Sequence, residues 1–583
     1  MRATTRTCAV LLLSLLPLPV PAQEAKVESQ LLLPPEPGMQ YSISPKGLHL
    51  AAVVLRGSRQ VLVHDGVDGP RFDRVLTLSR LSDGAKVAWS DDGARFAYHG
   101  KLGQEYVIVV DGKEVSRGAW SAELEGQGTT PVNDLGFSPG GKHWYAVIQT
   151  RSSGRENFQM LLDGVAGPVS QQIFSPLFSP DGEHHTYIQQ INTATTPQPR
   201  YALIVDGKPA PYLAGDMQWT ADSKYLITKR PSPGNTGEDV LANGQPLMRV
   251  PGGVNLTMAP VGPGMLGRAL TPWEGASRSS FLLVGNRRVP GSECTNVAGL
   301  DAVYMSPDAK HYAARCAMTF MFVDGKKGQE YPEGLSHLVW TGDGRPVYYG
   351  RTNQRAFMVI GEQESDAYGT IQDVAPVTRE EKRRGDTGFA PAVVQGTHVA
   401  YIARINGGDG LTTLVVVDGK AIPAVAASEV RLSPDGSRYA FLSGRPPGQF
   451  VTVDGTAYDK VAIDPSIETV GHQGMIKWSP DSKHVAWISA APSTGVMLDG
   501  KLLPTPGMTR FAHFTANGRL VYLARGGGAE HQIYVDGKRV LTLPQNLPLE
   551  IDADIYWSFP EDGSIQFVAQ DHEGMKRFRI VPN

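Results

Sequence analysis

The 583-residue sequence has only three cysteines, no marked excess of either charge, and no long apolar run beyond its first twenty residues. Its net charge of -3 provides no broad positive field, which argues against nucleic acid or an anionic membrane surface as the partner. Because no later segment approaches the roughly 20 apolar residues that cross a bilayer, we expect no integral membrane segment in the processed chain. No amphipathic helix is apparent, which argues against a helical architecture.

The sequence is instead rich in glycine and proline, with 65 and 43 residues, and 41% of it is hydrophobic. The combined glycine and proline content is below that of disordered chains, and enough apolar residues remain to form a core. We therefore expect a folded protein with many turns.

Residues 1–22 have the pattern of a signal peptide. Two arginines precede an apolar stretch at residues 9–18, and small residues precede the expected cleavage after Ala22. We therefore expect an exported protein, periplasmic or extracellular, in a compartment that permits disulfides. Cys294 and Cys316 then form either a disulfide or two buried free thiols.

One short turn recurs along the chain at intervals of about 43 residues. Its sequence is Ser-Pro-Asp-Gly or a close variant, with clear copies beginning at Ser44, Ser90, Ser138, Ser179, Thr220, Ser306, Thr341, Ser433, Ser479 and Thr515. Weaker copies near Pro260, Gly396 and Pro560 bring the number to thirteen. A second turn, usually Asp-Gly, alternates with the first and suits a two-residue hairpin, because both of its residues tolerate positive φ.

Two hairpins per period predict a four-stranded antiparallel blade. The Ser-Pro-Asp-Gly turn joins strands A and B, and the Asp-Gly turn joins strands C and D. Thirteen blades exceed the typical four to eight of one ring, so we predict an all-β fold of tandem β-propellers, with six blades at residues 41–298 and seven at 299–583. Because the last unit ends after strand C, a strand at residues 30–33, within the N-terminal segment 23–40, is expected to complete it.

The Ser-Pro-Asp-Gly and Val-Asp-Gly-Lys repeats resemble the WD-like β-propeller repeats of TolB-type periplasmic proteins. The resemblance covers nearly all of the chain after the expected cleavage site, and it implies protein–protein scaffolding at the cell envelope. Because the repeats begin about twenty residues after that site, we expect no counterpart here of the additional N-terminal α/β domain of TolB-type proteins.

Two matches to catalytic motifs fall on turns of the repeat. Residues 136–140 match the Gly-x-Ser-x-Gly nucleophile motif, but Ser138 begins an A–B turn, and a strand follows where a hydrolase requires a helix. Residues 262–267 match the Gly-x-Gly-x-x-Gly dinucleotide motif, again without the helix that this motif requires. We therefore predict no catalytic residue and no cofactor.

Histidines share one repeat position, and arginine also occurs there: His143, His184, His311, His484, Arg95 and Arg438. Exchange with arginine indicates a solvated strand position rather than a metal site. The pair Asp91-Asp92 lacks the spacing of a calcium loop, and the charged run at residues 379–384 suits a solvated loop. We predict no metal site.

In such a meander the A–B and C–D turns lie on one face, which we call the turn face. The B–C and D–A loops lie on the opposite face, the loop face, where the B–C loops carry twelve basic against six acidic residues. Loops on a rigid scaffold commonly carry recognition, and arginine is favoured at interfaces. The hypothesis is that this face binds an acidic partner or ligand through Arg151, Arg155, Arg351, Arg355, Arg404 and Arg445. Alternatively, these arginines only solvate the loops.

Together these features predict an exported, non-catalytic β-propeller that binds or scaffolds proteins in the cell envelope. The alternative is a propeller enzyme, a hydrolase or lyase acting on a sugar or lactone, with carboxylates or histidines converging at a central channel. The sequence leaves the partner and the oligomeric state open.

Overall fold

The computed structural model describes residues 25–582 apart from 37–38, 77–86, 127–128, 153–154, 175, 192–199, 211–216, 236, 259–264, 271–278, 286, 295–298, 374, 377–388, 408–409, 445–447, 459–475, 490–494, 508, 527–529 and 545–556. The predicted signal peptide, the start of the dinucleotide-like motif, the charged run at 379–384 and Arg445 lie outside the described residues. Within the described residues, no helix is long and apolar enough to cross a membrane.

The structure contains thirteen antiparallel sheets of four or five strands, and the prediction of an all-β fold with about thirteen blades is confirmed. We number the blades 1 to 13 in chain order, with strands A to D in each. The strands of blade 1 are Gln40–Ile43, Leu50–Arg56, Arg59–His64 and Val67–Phe72. In blade 2, strand A has two parts, Arg74–Val75 and Ala88–Trp89, and strands B to D are Phe96–Leu102, Glu105–Val110 and Lys113–Ala119. The strands of blade 3 are Val132–Phe137, Trp144–Ser152, Arg155–Leu162 and Val165–Ala166. In blade 4, strand A has two parts, Gln172–Ile173 and Leu177–Phe178, and strands B to D are His185–Ile191, Arg200–Val205 and Lys208–Pro209. The strands of blade 5 are Met217–Trp219, Leu226–Pro231, Glu238–Ala242 and Gln245–Val250. The strands of blade 6 are Val254–Met258, Met265–Leu270, Ser280–Val284 and Arg287–Arg288.

The second half of the chain repeats the same order of strands. The strands of blade 7 are Leu300–Met305, Tyr312–Cys316, Phe320–Val323 and Lys326–Glu330. The strands of blade 8 are Val339–Trp340, Pro346–Thr352, Arg355–Ile360 and Gln363–Glu364. In blade 9, strand A has two parts, Thr370–Gln372 and Val393–Gln395, and strands B to D are His398–Gly407, Gly410–Val417 and Lys420–Ala424. The strands of blade 10 are Glu429–Leu432, Tyr439–Ser443, Phe450–Val453 and Thr456–Tyr458. The strands of blade 11 are Ile476–Trp478, Val485–Ser489, Gly495–Leu498 and Lys501–Pro504. The strands of blade 12 are Thr509–Phe514, Leu520–Arg525, His531–Val535 and Lys538–Leu543. A small extra sheet pairs Ala375–Pro376 with Phe389–Ala390, and the described helices are Ala122–Glu125 and the 3-10 turns Pro45–Gly47, Pro139–Gly141 and Pro233–Asn235.

Both repeated turns have the conformations that their sequences predict. In the A–B turn the fourth amide donates to the first carbonyl, as Gly93 does to Ser90 at 2.8 Å. In the C–D turn both central residues have positive φ, at 48° for Asp454 and 84° for Gly455. This is the conformation of a type I′ hairpin, which asparagine, aspartate and glycine adopt at little cost.

The blades pack face to face through their buried strands. Ala97, Ala313, Ala440 and Ala486 lie at one register of strand B and are fully buried, because a small residue lets neighbouring sheets approach. Thirteen clusters of buried apolar residues are described, and each joins two consecutive blades or joins blade 13 to blade 1. One of them spans blades 6 and 7, so the predicted ring boundary at residues 298 and 299 is not marked by a break in packing. That boundary stays a prediction.

Blade 13 is assembled from both ends of the chain. Its strands A to C are Trp557–Ser558, Ile565–Asp571 and Gly574–Val581, and its strand D is the N-terminal Lys26–Leu33. The N-terminal strand pairs antiparallel with strand C, with Lys26 opposite Val581. The N-terminal segment therefore completes the last blade.

A disulfide joins Cys294 to Cys316, with 5.8 Å between the two Cα atoms. Cys294 follows the last strand of blade 6, and Cys316 ends strand B of blade 7. Both lie in the apolar cluster shared by these blades, where they are almost fully buried. The disulfide therefore links two consecutive blades covalently.

Candidate functional site

On the turn face, the aspartate of each C–D turn binds the start of strand B in its own blade. In blade 10, Asp454 Oδ1 accepts a hydrogen bond from the Tyr439 amide at 3.0 Å. Its Oδ2 accepts a hydrogen bond from Arg438 Nε at 2.8 Å. The same arrangement holds for His49–Asp65, Arg95–Asp111, His143–Asp163, His184–Asp206, His311–Asp324, His398–Asp418, His484–Asp499 and Arg519–Asp536. The six residues predicted at this solvated position are 29–48% exposed, and each also pairs with the aspartate of a C–D turn, a partner that the prediction did not include.

The same histidine and arginine side chains also contact the next blade. Arg438 Nη1 donates to the Lys483 carbonyl at 2.6 Å, and its guanidinium lies 4.9 Å from the centroid of the Trp478 ring. His184 stacks on Trp219 at 5.4 Å between ring centroids. An arginine over an aromatic ring is stabilised by the ring quadrupole, and the histidine makes a ring stack, so the position shared by histidine and arginine ties blade to blade.

Two blades that depart from the pattern indicate how it works. In blade 5 the turn residue is Asn243, which accepts from the Leu226 amide at 2.8 Å, and the cation position holds Tyr225. In blade 8 the C–D turn has no aspartate, and Arg345 Nε instead binds Asp343 Oδ2 at 2.9 Å. A histidine or arginine at the start of strand B is thus accompanied by a carboxylate, which comes from the C–D turn in most blades and from the A–B turn in blade 8.

The aspartates of the A–B turns have a separate structural role. Ser306 Oγ donates to Asp308 Oδ1 at 2.7 Å, and this bond, ahead of the Lys310 amide, lowers the pKa of Asp308 to about 2. Ser138, the serine of the nucleophile-like motif, is buried, and its Oγ accepts from the His143 amide at 3.1 Å. A strand follows Ser138 after the turn, so this serine has the surroundings of a turn residue.

Replacing the turn aspartate of blade 10 tests the value of its charge. We expect Asp454→Ala to lower the free energy of unfolding by about 2 kcal/mol, because both hydrogen bonds of the carboxylate are lost. Asp454→Asn keeps an oxygen for the Tyr439 amide and is expected to cost about half as much. Urea unfolding of the two variants measures the difference, with Asn243→Ala in blade 5 as the control that removes no ion pair. An Asn variant as stable as the unaltered chain would contradict a role for the charge.

The loop-face arginines lie in three separate blades. Arg151 and Arg155 flank the B–C hairpin of blade 3, Arg351 and Arg355 flank that of blade 8, and Arg404 lies in strand B of blade 9. The structure therefore places two pairs on hairpins and does not bring all of the candidates together.

These arginines also differ in their partners. Arg151 is 22% exposed and lies 3.2 Å from Glu156 and 3.5 Å from Glu123, and Arg404 donates to Gln372 at 2.7 Å. Within the described residues, the exposed Arg155, Arg351 and Arg355 make no ion pair. These three are free to bind a partner, whereas Arg151 is already neutralised.

Exposed apolar side chains lie in blade 4 and in the segment after strand D of blade 3. Val169 is 62% exposed, and it precedes Ser170, whose carbonyl accepts from the Phe158 amide of blade 3 at 2.7 Å. Phe174 and Tyr201 of blade 4 are 40% and 39% exposed, with ring centroids 6.0 Å apart. Aromatic residues and arginine together are typical of protein interfaces.

One carboxylate of an inner strand is already engaged. The Glu429 carboxylate in strand A of blade 10 already accepts a hydrogen bond from Arg431 Nε at 2.9 Å. In the part of the chain that the structure describes, one group of three side chains could hold a metal ion: His49, His64 and Asp65 of blade 1. The enzyme alternative stays a prediction.

The sheets and their packing define an all-β protein of the β-propeller class. No protein-family model matches the sequence, and no curated protein matches it. Among solved structures the chain is similar to a eukaryotic initiation factor, at 12% identity over 86% of this chain and 96% of that chain, with a TM-score of 0.28.

Two further solved structures are similar to the chain. Dihydro-heme d1 dehydrogenase NirN in complex with DHE is 13% identical over 56% of this chain and 65% of that chain, with a TM-score of 0.20. The β-propeller domain of the Trilobed protease from Pyrococcus furiosus is 10% identical over 56% of this chain and 93% of that chain, with a TM-score of 0.21. At these values the similarities carry no argument about function.

Proposed function

We propose that this chain is an exported, non-catalytic β-propeller of the WD-like, TolB-type kind that binds an acidic protein partner through its loop face. The partner is a protein of the cell envelope or of the extracellular space. The observation that carries the proposal is the contrast between the arginines of the two faces. Arg95 and Arg438 on the turn face are neutralised within their blades, whereas Arg155, Arg351 and Arg355 on the loop face are exposed without an ion pair in the described residues.

Unpaired arginines on hairpins suit recognition for a physical reason. The guanidinium is planar and weakly hydrated, and it binds carboxylates through two parallel hydrogen bonds. A hairpin fixes the backbone of Arg155 opposite Ser152 and that of Arg355 opposite Thr352, so less conformational freedom is lost on binding.

The neighbouring apolar side chains favour a protein over a small anion. Phe174 and Tyr201 of blade 4 and Val169 after strand D of blade 3 are exposed, and a small carboxylate would leave them in water. A protein surface with carboxylates around an apolar centre would cover both the rings and the guanidinium groups.

A crosslinked pull-down from a cell-envelope fraction tests the proposal. The processed chain is compared with the triple variant Arg155→Glu, Arg351→Glu, Arg355→Glu. We expect a specific prey to be captured by the unaltered chain, to be released as the salt concentration rises, and to be lost in the variant. Rising salt weakens exposed charge contacts because the Debye length shortens.

The matched control reverses three charges on the opposite face. Lys113, Lys208 and Lys420 follow Asp-Gly turns and are exposed, and no ion pair involves them within the described residues. The variant Lys113→Glu, Lys208→Glu, Lys420→Glu carries the same charge change and is expected to keep the prey. If the loop-face variant also keeps the prey while both variants melt as the unaltered chain does, the loop-face proposal is wrong.

A further inference from the structure

The residue before the C–D turn is apolar in every blade with an Asp-Gly or Asn-Gly turn except blade 1. There the residue is His64, directly before Asp65. The equivalent residues in the other blades are Val110, Leu162, Val205, Ala242, Val323, Val417, Val453, Leu498 and Val535. Since the rest of the turn is kept in blade 1, the histidine is a local addition to a pattern that folds without it.

His64 adds a third potential metal ligand to a pair that recurs in the repeat. His49 Nδ1 lies 2.7 Å from Asp65 Oδ2, as in the other histidine–aspartate pairs of the turn face. The rings of His49 and His64 are stacked, with centroids 5.5 Å apart and 19° between their planes. One ligating atom from each of the three side chains lies within 4.8 Å of the other two.

His64 has an unsatisfied nitrogen. Its ring also stacks on Phe96 of blade 2 at 4.0 Å between centroids. Its Nε2 is buried and has no hydrogen-bond partner among the described residues. An apolar residue would fill this place without leaving a polar atom unpaired, so the buried nitrogen requires an explanation.

We propose that His49, His64 and Asp65 bind a divalent transition metal ion, with Zn²⁺ as the ion that their chemistry suits best. Two imidazoles and a carboxylate are a common zinc ligand set that leaves a fourth position open. Metal–ligand distances of about 2.0–2.1 Å place tetrahedral ligand atoms roughly 3.3 Å apart, so the side chains rotate to close a separation of up to 4.8 Å. The ion lies on the turn face, away from the loop-face arginines.

Arg577 of blade 13 competes with this ion. Its guanidinium hydrogen-bonds Asp65 Oδ2, and its Nη2 lies 3.3 Å from His49 Nδ1. A cation that binds the same carboxylate must displace the guanidinium or share the carboxylate with it. Removing the arginine charge is therefore expected to strengthen metal binding.

Calorimetric titration of the metal-free processed chain with Zn²⁺ tests the site. The absorption spectrum of the chain with Co²⁺ in place of Zn²⁺ shows whether nitrogen and oxygen atoms bind the ion. Loss of an outer-shell partner alone weakens metal sites by about 10–100-fold, so we expect His64→Leu to weaken binding at least about tenfold. We expect Arg577→Gln to strengthen it. Leucine is the residue that blade 3 has at this position, so the variant is expected to fold, and its thermal melt without metal verifies this.

The matched control is His484→Gln in blade 11, which removes a histidine–aspartate pair that lacks the third ligand. This variant is expected to bind Zn²⁺ as the unaltered chain does. The proposal is overturned if the unaltered chain binds no Zn²⁺ at micromolar concentration. It is also overturned if His64→Leu binds as tightly as the unaltered chain, because the ion would then be held by ordinary surface pairs.

Discussion

The double variant Leu32→Ala, Leu33→Ala is expected to lose much of the stability of the whole array. Both side chains belong to the N-terminal strand of blade 13, and they are 1% and 2% exposed. They pack in the cluster that joins blade 13 to blade 1, against residues such as Leu50 and Met575. Truncating a buried leucine to alanine costs about 2–5 kcal/mol. The loss of unfolding free energy expected for the double variant therefore approaches the total stability of many domains.

Thermal and urea unfolding of the processed chain measure this effect. Leu31→Ala is the matched control, because Leu31 lies in the same strand but is 48% exposed. Exposed substitutions usually change stability by less than about 0.5 kcal/mol. If the double variant unfolded like the Leu31 variant, the N-terminal strand would contribute nothing to closing the array.

The expected signal-peptide cleavage site lies just before the strand that completes blade 13. Cleavage after Ala22 leaves Lys26–Leu33 intact, so the processed chain keeps the strand that completes blade 13. Arg577 supports the same closure, because its Nε donates to the Leu48 carbonyl of blade 1 at 2.6 Å. Processing several residues further into the chain would remove the start of this strand, beginning with the pairing of Lys26 with Val581.

The blades were predictable because each turn specifies its own conformation. Asp454 and Gly455 have the positive φ that Asp-Gly implies, and the Ser-Pro-Asp-Gly turn closes locally. Local rules of this kind do not depend on distant residues, so the number and order of the strands followed from the sequence.

The ionic pairs of the turn face were missed although their signal was present. Histidine and arginine alternate at one repeat position, and aspartate recurs in the C–D turn; together these are consistent with a cation that needs a nearby carboxylate. Arg438 and Asp454 are 16 residues apart, and only the meander brings their side chains together. The exchange between histidine and arginine therefore reflects a shared carboxylate partner at a position that is also exposed to solvent.

Pairing on the loop face did not follow from the sequence. Arg151 and Arg155 are alike in composition and in loop position, yet Arg151 is neutralised by Glu123 and Glu156. Which of the two is free depends on the hairpin register, in which Arg151 lies opposite Glu156. Counting charges in the loops therefore overestimated the free positive charge.

Lowering the pH below neutrality is expected to destabilise the fold through His513. This histidine lies in strand A of blade 12, and its ring is 4.0 Å from that of Phe559 between centroids. Burial, and secondarily the Lys477 charge, lowers the pKa of His513 from 6.5 to about 4. The fold therefore favours neutral His513, and the stabilisation is complete above about pH 6.5 and is lost as the pH falls toward 4.

The expected size is about 3 kcal/mol between pH 7 and pH 4, because one pKa unit corresponds to about 1.4 kcal/mol. Urea unfolding across this range compares the unaltered chain with His513→Gln, which has no proton to gain. The pKa values of His64 and His185 are also lowered, chiefly by burial, and they add the same slope to both proteins. The difference between the two curves therefore isolates His513, and parallel curves would contradict a buried neutral histidine at this position.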